Sequence, residues 1–427
     1  MTSSTIKNLD RNVHHTNTLE AQQNTFSAME QHHLFALSQY SKAIEQMKRL
    51  CLSPSHDDHV SLVASLLVVC FETFHGSYKN ACQQIRIAKR IIEEADSKKL
   101  LRRQNQLPST APPPQEIEED LRRAFQRLDV TSMPHADLYA AQDTIKLRRC
   151  NEEDMIPMPS SFKTLVSARN YFFVIVRRAV QDNYVSYSFQ PAQTTHESNE
   201  YTISNGTLYL HQNKEGGSYI FEIEKWKRSF QPLYDTAIPG TNEWLATRSM
   251  QLHYLTLWLA ILYSCNPHEC TYDAHLALFQ EIVIGARALL RNHAAVFTFD
   301  LQTIWPLDMV ARKCRDRKVR REAIDLLVRN PRREGIWDSM VVGRCAEWLM
   351  KLEEERMRDD GSIPEEGRAR RVGLRMELDA EKAFVWCYFL PRVPGLEEVR
   401  HEIMLEWTTV ATKLAQETIS KELLSSG

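Results

Sequence analysis

The sequence predicts a mostly α-helical protein, arranged as an irregular multi-helix bundle or as stacked helical pairs, with one small β-hairpin near the C-terminus. Three observations favour this fold class. Only 13 Gly and 17 Pro occur among 427 residues, which is few for a β-sandwich with many glycine turns. Apolar residues recur at spacings of three and four along most of the chain, as they do on the buried face of a helix. No internal repeat of fixed period is visible.

Composition and charge limit the classes of protein that are compatible with this chain. With 53 Lys and Arg against 55 Asp and Glu, the formal net charge is -2, which excludes a uniformly basic nucleic-acid-binding chain. The nine cysteines include no Cys-x-x-Cys pair, so free thiols in a reducing intracellular compartment are expected. The most apolar stretches, 60–71 and 252–263, are too short for a membrane span of roughly 20 residues, and no membrane association is expected.

The first 95 residues divide into a tail and a helical unit. Residues 1–30 are polar and are predicted to be a disordered N-terminal tail. Residues 31–95 are predicted to form an N-terminal helical subdomain. Its second helix, Val60 to Phe74, is apolar nearly all round and is therefore predicted to lie in the centre of a bundle.

The rest of the chain is predicted to be a linker followed by the main helical region. A proline-containing linker or exposed loop is predicted at 96–118, because its triple proline cannot lie inside a helix. The main region, 119–427, contains a predicted loop with short strands at about 182–241. Alternating apolar residues predict the β-hairpin at about 371–390. Further helices are predicted from about 243 and at about 272–292, 306–315, 319–329, 339–356 and 396–423.

Motifs of catalytic and cofactor-binding sites are missing from the sequence. It has no Gly-x-Ser-x-Gly elbow, no phosphate-binding glycine loop, no dinucleotide fingerprint and no His-Glu-x-x-His pair. The paired acids Asp57-Asp58 and Asp359-Asp360 are more typical of helix caps and turns than of a Mg²⁺ site. We therefore predict that the protein is not an enzyme and that it holds no cofactor.

One group of side chains has the composition of a metal site. Two thiolates and two imidazoles within eleven positions could coordinate zinc tetrahedrally. The spacing matches no zinc finger or zinc knuckle, and the segment is also typical of a helix start, so this is a weak candidate. Its members are Cys265, His268, Cys270 and His275.

A second group is a basic run between two predicted helices. Its charge density indicates nuclear import or contact with phosphate groups, whereas the simpler interpretation is a solvated helix face. Direct contact with DNA is the less favoured alternative, since no groove-reading element accompanies the charges. The seven residues are Arg312, Lys313, Arg315, Arg317, Lys318, Arg320 and Arg321.

The segment PRREGIWDS is interpreted as a structural junction between two helices. Pro331 ends one helix, Gly335 lets the chain turn, Trp337 anchors the junction in the core, and Asp338 caps the next helix. The charged residues between them, Arg332, Arg333 and Glu334, are predicted to form ion pairs across neighbouring helices.

Several segments resemble the C-terminal helical regulatory region of fungal zinc binuclear cluster transcription factors. The resemblance covers most of residues 30–390, and PRREGIWDS is its most specific part. The other segments are His33 to Ile44, Cys70-Phe71-Glu72, Cys314-Arg315-Asp316, Arg320 to Leu327, Glu347-Trp348 and Ile363 to Glu366. Those factors bind DNA through six N-terminal cysteines that hold two zinc ions. This chain has no cysteine before Cys51, so the resemblance does not extend to the DNA-binding cluster.

The resemblance implies a nuclear transcriptional regulator without its own zinc cluster, which controls a biosynthetic gene cluster. Its partners would be proteins of the transcription machinery or a DNA-binding partner, a homodimer is compatible with the sequence, and direct DNA binding is not expected. A sequence that starts downstream of the true N-terminus, a factor that acts through partners, and a relic all stay open. The alternative function is a helical protein-interaction scaffold with no direct role in transcription, and the alternative location is the cytoplasm.

Overall fold

A computed structural model describes residues 35–49, 58–75, 77–105, 119–132, 157–188, 216–265, 268–292, 297–377, 382–391 and 398–406. The helices are α1 (35–49), α2 (Asp58–His75), α3 (Tyr78–Asn105), α4 (Glu119–Ser132), α5 (Leu165–Ser188), α6 (Gly216–Thr236), α7 (Asn242–Cys265), α8 (Leu276–Asn292), α9 (Ile304–Lys313), α10 (Arg317–Arg329) and α11 (Ser339–Glu354). Short 3₁₀ helices occupy Glu269–His275 and Glu365–Gly367. The predicted fold class, mostly α with a small antiparallel sheet at the C-terminus, is confirmed.

Two small sheets complete the described fold. Strands β1 (Phe297–Thr298), β2 (Arg333–Glu334) and β3 (Trp337–Asp338) form the first, in which β1 is parallel to β2 and β3 is antiparallel to it. Strands β4 (Arg370–Glu377), β5 (Lys382–Phe389) and β6 (Val399–Glu406) form the second, which is antiparallel throughout. No described helix is long and apolar enough to cross a membrane.

The N-terminal helices have a small core of their own. Leu62 and Val69 of α2 pack with Ile85 of α3 and with Leu121 and Phe125 of α4. The helix α4 therefore shares this core, although the sequence placed residues 119–132 in the main region. The predicted central position of α2 in a bundle is not found, because Val60 is 44% and Leu67 65% exposed.

Three further predictions differ from the structure. The helix α3 continues to Asn105, so the first part of the predicted linker is helical. The predicted loop at 182–241 contains α6, because Tyr219, Ile223, Trp226 and Phe230 recur at helical spacing and are all buried. Residues 399–406 form strand β6 rather than the start of a helix, and the predicted hairpin is thereby extended to three strands. The tail 1–30 and residues 106–118, 189–215 and 407–427 lie outside the described residues.

The largest core lies among α5 to α11. The Trp226 indole is fully buried and stacks on Phe230 at 4.7 Å, and its Nε1 donates to the Ala168 carbonyl at 2.8 Å. A separate cluster joins α11 to the C-terminal sheet through residues such as Leu349 and Val385. The helices α9 and α11 therefore connect the main core, the first sheet and the C-terminal sheet.

Candidate functional site

The first charged site is formed by β2, the Gly335 turn and β3. Gly335 has φ +57°, a left-handed conformation that favours glycine, and its N–H donates to the Thr298 carbonyl at 2.8 Å. The turn places the buried side chains of Arg333, Glu334 and Asp338 against the ends of three helices. We call these three residues the capping junction.

Glu334 caps the N-terminus of α9. Its fully buried carboxylate accepts hydrogen bonds from the backbone N–H groups of Gln302 at 2.7 Å, Thr303 at 2.9 Å and Ile304 at 2.9 Å. The Thr303 hydroxyl adds a fourth bond at 2.8 Å. A negative charge at this position also interacts favourably with the positive end of the helix dipole.

Arg333 connects the C-terminus of α2 to the N-terminus of α11. Its Nη1 donates to the Thr73 carbonyl at 2.8 Å and to the Phe74 carbonyl, two of the last carbonyls of α2. Its Nε donates to Asp338 Oδ2 at 3.0 Å. Asp338 Oδ1 in turn accepts from the N–H groups of Met340 at 2.9 Å and Val341 at 3.3 Å, as the N-cap of α11.

The remaining residues of the segment support this arrangement. Pro331 follows the end of α10, and the Trp337 side chain is only 6% exposed. The Arg332 main chain exchanges hydrogen bonds with Ser339, from N to Oγ at 3.0 Å and from Ser339 N to O at 3.1 Å. Arg332 Nη1 lies 4.0 Å from Glu334 Oε1, and burial lowers the pKa of the Arg332 guanidinium despite this carboxylate.

The second charged site lies at the C-terminal ends of α9 and α11. Glu353 accepts from Arg315 Nη2 at 2.7 Å, from Arg320 Nη1 at 2.6 Å and from the Ala369 N–H at 2.8 Å. Glu269 accepts from Lys313 Nζ at 2.5 Å, and its second oxygen lies 3.2 Å from Arg315 Nη1. We call these five side chains, Glu269, Lys313, Arg315, Arg320 and Glu353, the ion-pair network.

The network is deeply buried, and the Glu353 carboxylate stays ionised. The side chains of all five residues are at most 6% exposed. Burial alone raises the pKa of Glu353, but the charges of Arg315 and Arg320 outweigh it and lower the pKa to about 2. A neighbouring pair on α9, Asp308 with Arg312, is also buried, and there burial raises the pKa of Asp308 despite its partner.

The predicted basic run is therefore divided by the fold. Arg312, Lys313, Arg315 and Arg320 are buried in ion pairs, so for these four both the solvated face and phosphate contact are ruled out by burial. The remaining three face outward. Arg317 and Lys318 are exposed in the first turn of α10, and Arg321 is 41% exposed and pairs with Glu354 at 2.6 Å.

The zinc candidates whose side chains are described do not lie together. His268 is exposed with Nδ1 3.7 Å from Glu365 Oε1, and His275 packs edge-on against Trp258 at 5.3 Å. The thiol of Cys270 is hydrogen-bonded to Glu365, and burial followed by this contact raises its pKa to about 11. The side chain of Cys265 lies outside the description, and within the described residues no three His, Cys, Asp or Glu side chains are placed to hold a metal.

The sequence does not predict the acidic members of the network. Glu269 and Glu353 are separated from their cationic partners by 33 to 46 positions, and no local pattern marks such pairs. The neighbouring buried pair on α9, in contrast, has a local sequence signal. Asp308 and Arg312 are four positions apart on a predicted helix, which is the spacing of a helical ion pair.

Fold and site together define a mostly α-helical protein whose described interior contains buried ion pairs and charged helix caps. No family model and no solved structure matches the chain. One curated protein, the aspercryptin biosynthesis cluster-specific transcription regulator atnN of Emericella nidulans, is 36% identical over 112 residues. The similarity spans 25% of this chain and 18% of that regulator, so the chain is related to a fungal transcription regulator over a short part of both.

Proposed function

We propose that the protein is the regulatory region of a nuclear transcription regulator that controls a biosynthetic gene cluster. The similarity to a cluster-specific regulator over 112 residues is the observation that carries the proposal. The similarity covers a quarter of the chain, and the proposal assigns the same kind of function to the whole protein. The resemblance of PRREGIWDS and the neighbouring segments to fungal regulators supports the same function.

The proposed mode of action is through protein partners, with no catalysis and no sequence-specific reading of DNA. Four of the seven cations in the basic run are buried in ion pairs with three carboxylates, which leaves Arg317, Lys318 and Arg321 to meet a phosphate backbone. A groove-reading interface normally carries many phosphate contacts in addition to base contacts. Partners in the transcription machinery, or a partner that binds DNA itself, would bring the protein to promoters.

A tethering experiment tests this function. The full chain is fused to a heterologous DNA-binding domain in a fungal host and tested on a reporter with the matching operator. We expect reporter output to change severalfold, with the operator-less reporter as the control. Deletion of the native gene should also change transcripts of one contiguous set of biosynthetic genes. No change in either assay, with a folded nuclear fusion protein, would overturn the proposal.

A helical protein-interaction scaffold outside transcription is the second candidate. It is favoured by the short extent of the similarity, since three quarters of the chain lie outside it. The same fusion separates the two, because a scaffold would leave the reporter unchanged even when the fusion protein is nuclear.

A further inference from the structure

The C-terminal sheet has two edges of different regularity. The strand β4 pairs with β5 through a register shift between Arg370 and Gly373. The strand β6 pairs with β5 over eight consecutive residues without a shift, and in the described sheet β5 is its only neighbour. Irregular edges resist pairing with further strands, whereas a long regular edge is a template for strand addition. Of the two edges of the described sheet, the one at β6 is therefore the more regular template for a further strand.

The side chains of β6 alternate between the core and the outer face. Ile403 and Leu405 pack against the cluster that contains Leu349 of α11. On the other face lie Arg400, Glu402, Met404 and Glu406, and Met404 is 43% exposed. The outer face of this edge thus carries the positive charge of Arg400 at one end, the negative charge of Glu406 at the other, and Glu402 and the exposed Met404 between them.

These charges are self-complementary in one antiparallel register. When two copies of β6 pair about Ile403, Arg400 of each copy lies opposite Glu406 of the other, and Glu402 lies opposite Met404. Opposite charges that face each other across two strands stabilise a sheet, and like charges destabilise it. Pairing about Glu402 would set Glu402 opposite itself, and pairing about Met404 would set Glu402 opposite Glu406. Pairing about His401 would set Arg400 opposite Glu402 of the other copy, but it would leave Glu406 outside the shared described strand. Of the registers that oppose unlike charges and no like charges, only the one about Ile403 engages both Arg400 and Glu406.

We propose that β6 pairs with β6 of a second copy of this chain, so that two three-stranded sheets join into one six-stranded antiparallel sheet. The two-fold axis passes beside Ile403, and Arg400 and Glu406 form two equivalent cross-strand ion pairs. Because the interface is isologous and β4 has an irregular edge, the assembly closes as a dimer rather than growing into a fibre. The inference does not depend on the proposed role in transcription.

A charge swap tests the register. Self-association of the full chain is measured by sedimentation equilibrium for Arg400→Glu, Glu406→Arg and the double variant. Each single change places like charges opposite each other twice and should weaken the dimer about tenfold, whereas the double variant should recover to within about threefold of the original. A monomeric wild-type chain, or a double variant as weak as the singles, would overturn the proposal.

Two matched controls exclude effects through contacts inside one chain. Arg400 pairs with Glu402 at 3.2 Å, and Glu406 pairs with Lys382 at 2.8 Å, in the same chain. Glu402→Gln and Lys382→Gln remove these partners without placing like charges across the two-fold axis. Both should dimerise as the wild type does, and a loss as large as that of Arg400→Glu would assign the effect to the intrachain pairs and overturn the proposal.

Amide hydrogen exchange supplies a test without substitutions. In an antiparallel strand, alternate N–H groups point toward opposite neighbours. The N–H groups of β6 that face β5 should be protected at every concentration, and the outward set should gain protection only where the chain dimerises. Dimerisation without any gain in β6 would place the interface on another surface and would contradict the proposal.

Discussion

The capping junction and the ion-pair network lie at opposite ends of the same two helices, α9 and α11. Both regions bury several full charges, yet the charges are compensated in different ways. In the junction, Glu334 and Asp338 accept hydrogen bonds mainly from backbone N–H groups at helix ends. In the network, Glu269 and Glu353 are held mainly by cationic side chains.

This difference in compensation determines which buried charges can be replaced without a loss of stability. Two side chains that neutralise each other can be exchanged together for apolar residues, because nothing polar is left behind. A side chain that caps a helix cannot be exchanged in this way, since its removal leaves backbone groups buried without partners. We therefore expect the junction to depend on its residue types and the simpler ion pairs to depend only on being complete.

The largest effect is expected for Glu353→Gln in the ion-pair network. The change keeps the shape of the side chain but leaves Arg315 and Arg320 buried without their shared counter-charge. Breaking a buried ion pair from one side costs about 3–5 kcal/mol of the free energy of unfolding. Chemical denaturation monitored by circular dichroism measures the loss.

The matched control for this change is Glu354→Gln on the same helix. Glu354 is partly exposed and pairs with the 41%-exposed Arg321, so its loss should cost less than about 1 kcal/mol. Equal losses for the two variants would show that the network does not stabilise the fold more than a surface pair does.

The second prediction compares two double substitutions directly. Arg333→Met with Asp338→Leu removes a buried pair but also leaves carbonyls of α2 and N–H groups of α11 without partners. We expect a loss of about 2–4 kcal/mol, from two or more unsatisfied buried groups. Asp308→Leu with Arg312→Met removes a buried pair on one helix face and should stay within about 1 kcal/mol of the wild type.

Each single variant completes the thermodynamic cycle for its pair. Asp308→Leu alone should destabilise the fold more than its double variant does, because Arg312 is left charged and buried. For the junction, Asp338→Leu alone and the double variant should both be destabilised. If the double variant at Arg333 and Asp338 recovered its stability as fully as the double variant at Asp308 and Arg312, the junction would not differ from a simple ion pair.

The same difference explains what the sequence could predict. The junction lies within nine consecutive residues, so the turn at Gly335 and the cap at Asp338 follow from local rules that a sequence displays. The acid at Glu353 looks like any other charge on an amphipathic helix. Only the fold brings it to Arg315 and Arg320, so the sequence alone favours a solvated or phosphate-binding face for the basic run.

Secondary structure failed where local signals competed. The segment of α6 begins with Gly216-Gly217 and contains Pro232, which favour a loop, while its buried face repeats at helical spacing. In β6, the alternation of His401, Ile403 and Leu405 with outward residues is the pattern of a strand, although the prediction for about 396–423 is a last helix. Tertiary packing decided both cases.

The buried His253 is expected to make the free energy of unfolding depend on pH in a range where Glu353 of the network does not titrate. His253 is 4% exposed between Phe172 at 6.2 Å and Trp305 at 5.7 Å, and burial lowers its pKa to about 4. The unfolded chain binds this proton near pH 6.5, so stability is complete above that pH and falls as the pH drops toward 4. We expect a loss of about 2 kcal/mol between pH 7 and pH 5.

The variant His253→Asn isolates this contribution. It retains a donor for the Gln302 carbonyl, which the His253 ring contacts, and removes the titration. The variant should lose the dependence between pH 7 and pH 5. Glu353 contributes nothing in this range, because its pKa of about 2 makes its stabilisation disappear only as the pH falls below the unfolded value near 4.5. An unchanged pH profile in His253→Asn would assign the dependence to another group.

The smallest effect on stability is expected for the residues of the basic run that lie outside the network and face solvent. Arg317, Lys318 and Arg321 are the members that face solvent, and replacing all three by Ala should change the free energy of unfolding by less than about 1 kcal/mol. If the run directs nuclear import, these three accessible charges must carry it, because the other four are engaged inside the protein. Quantitative imaging of a fluorescent fusion should therefore show reduced nuclear accumulation with an intact fold. Unchanged accumulation would mean that the basic run has no role in import.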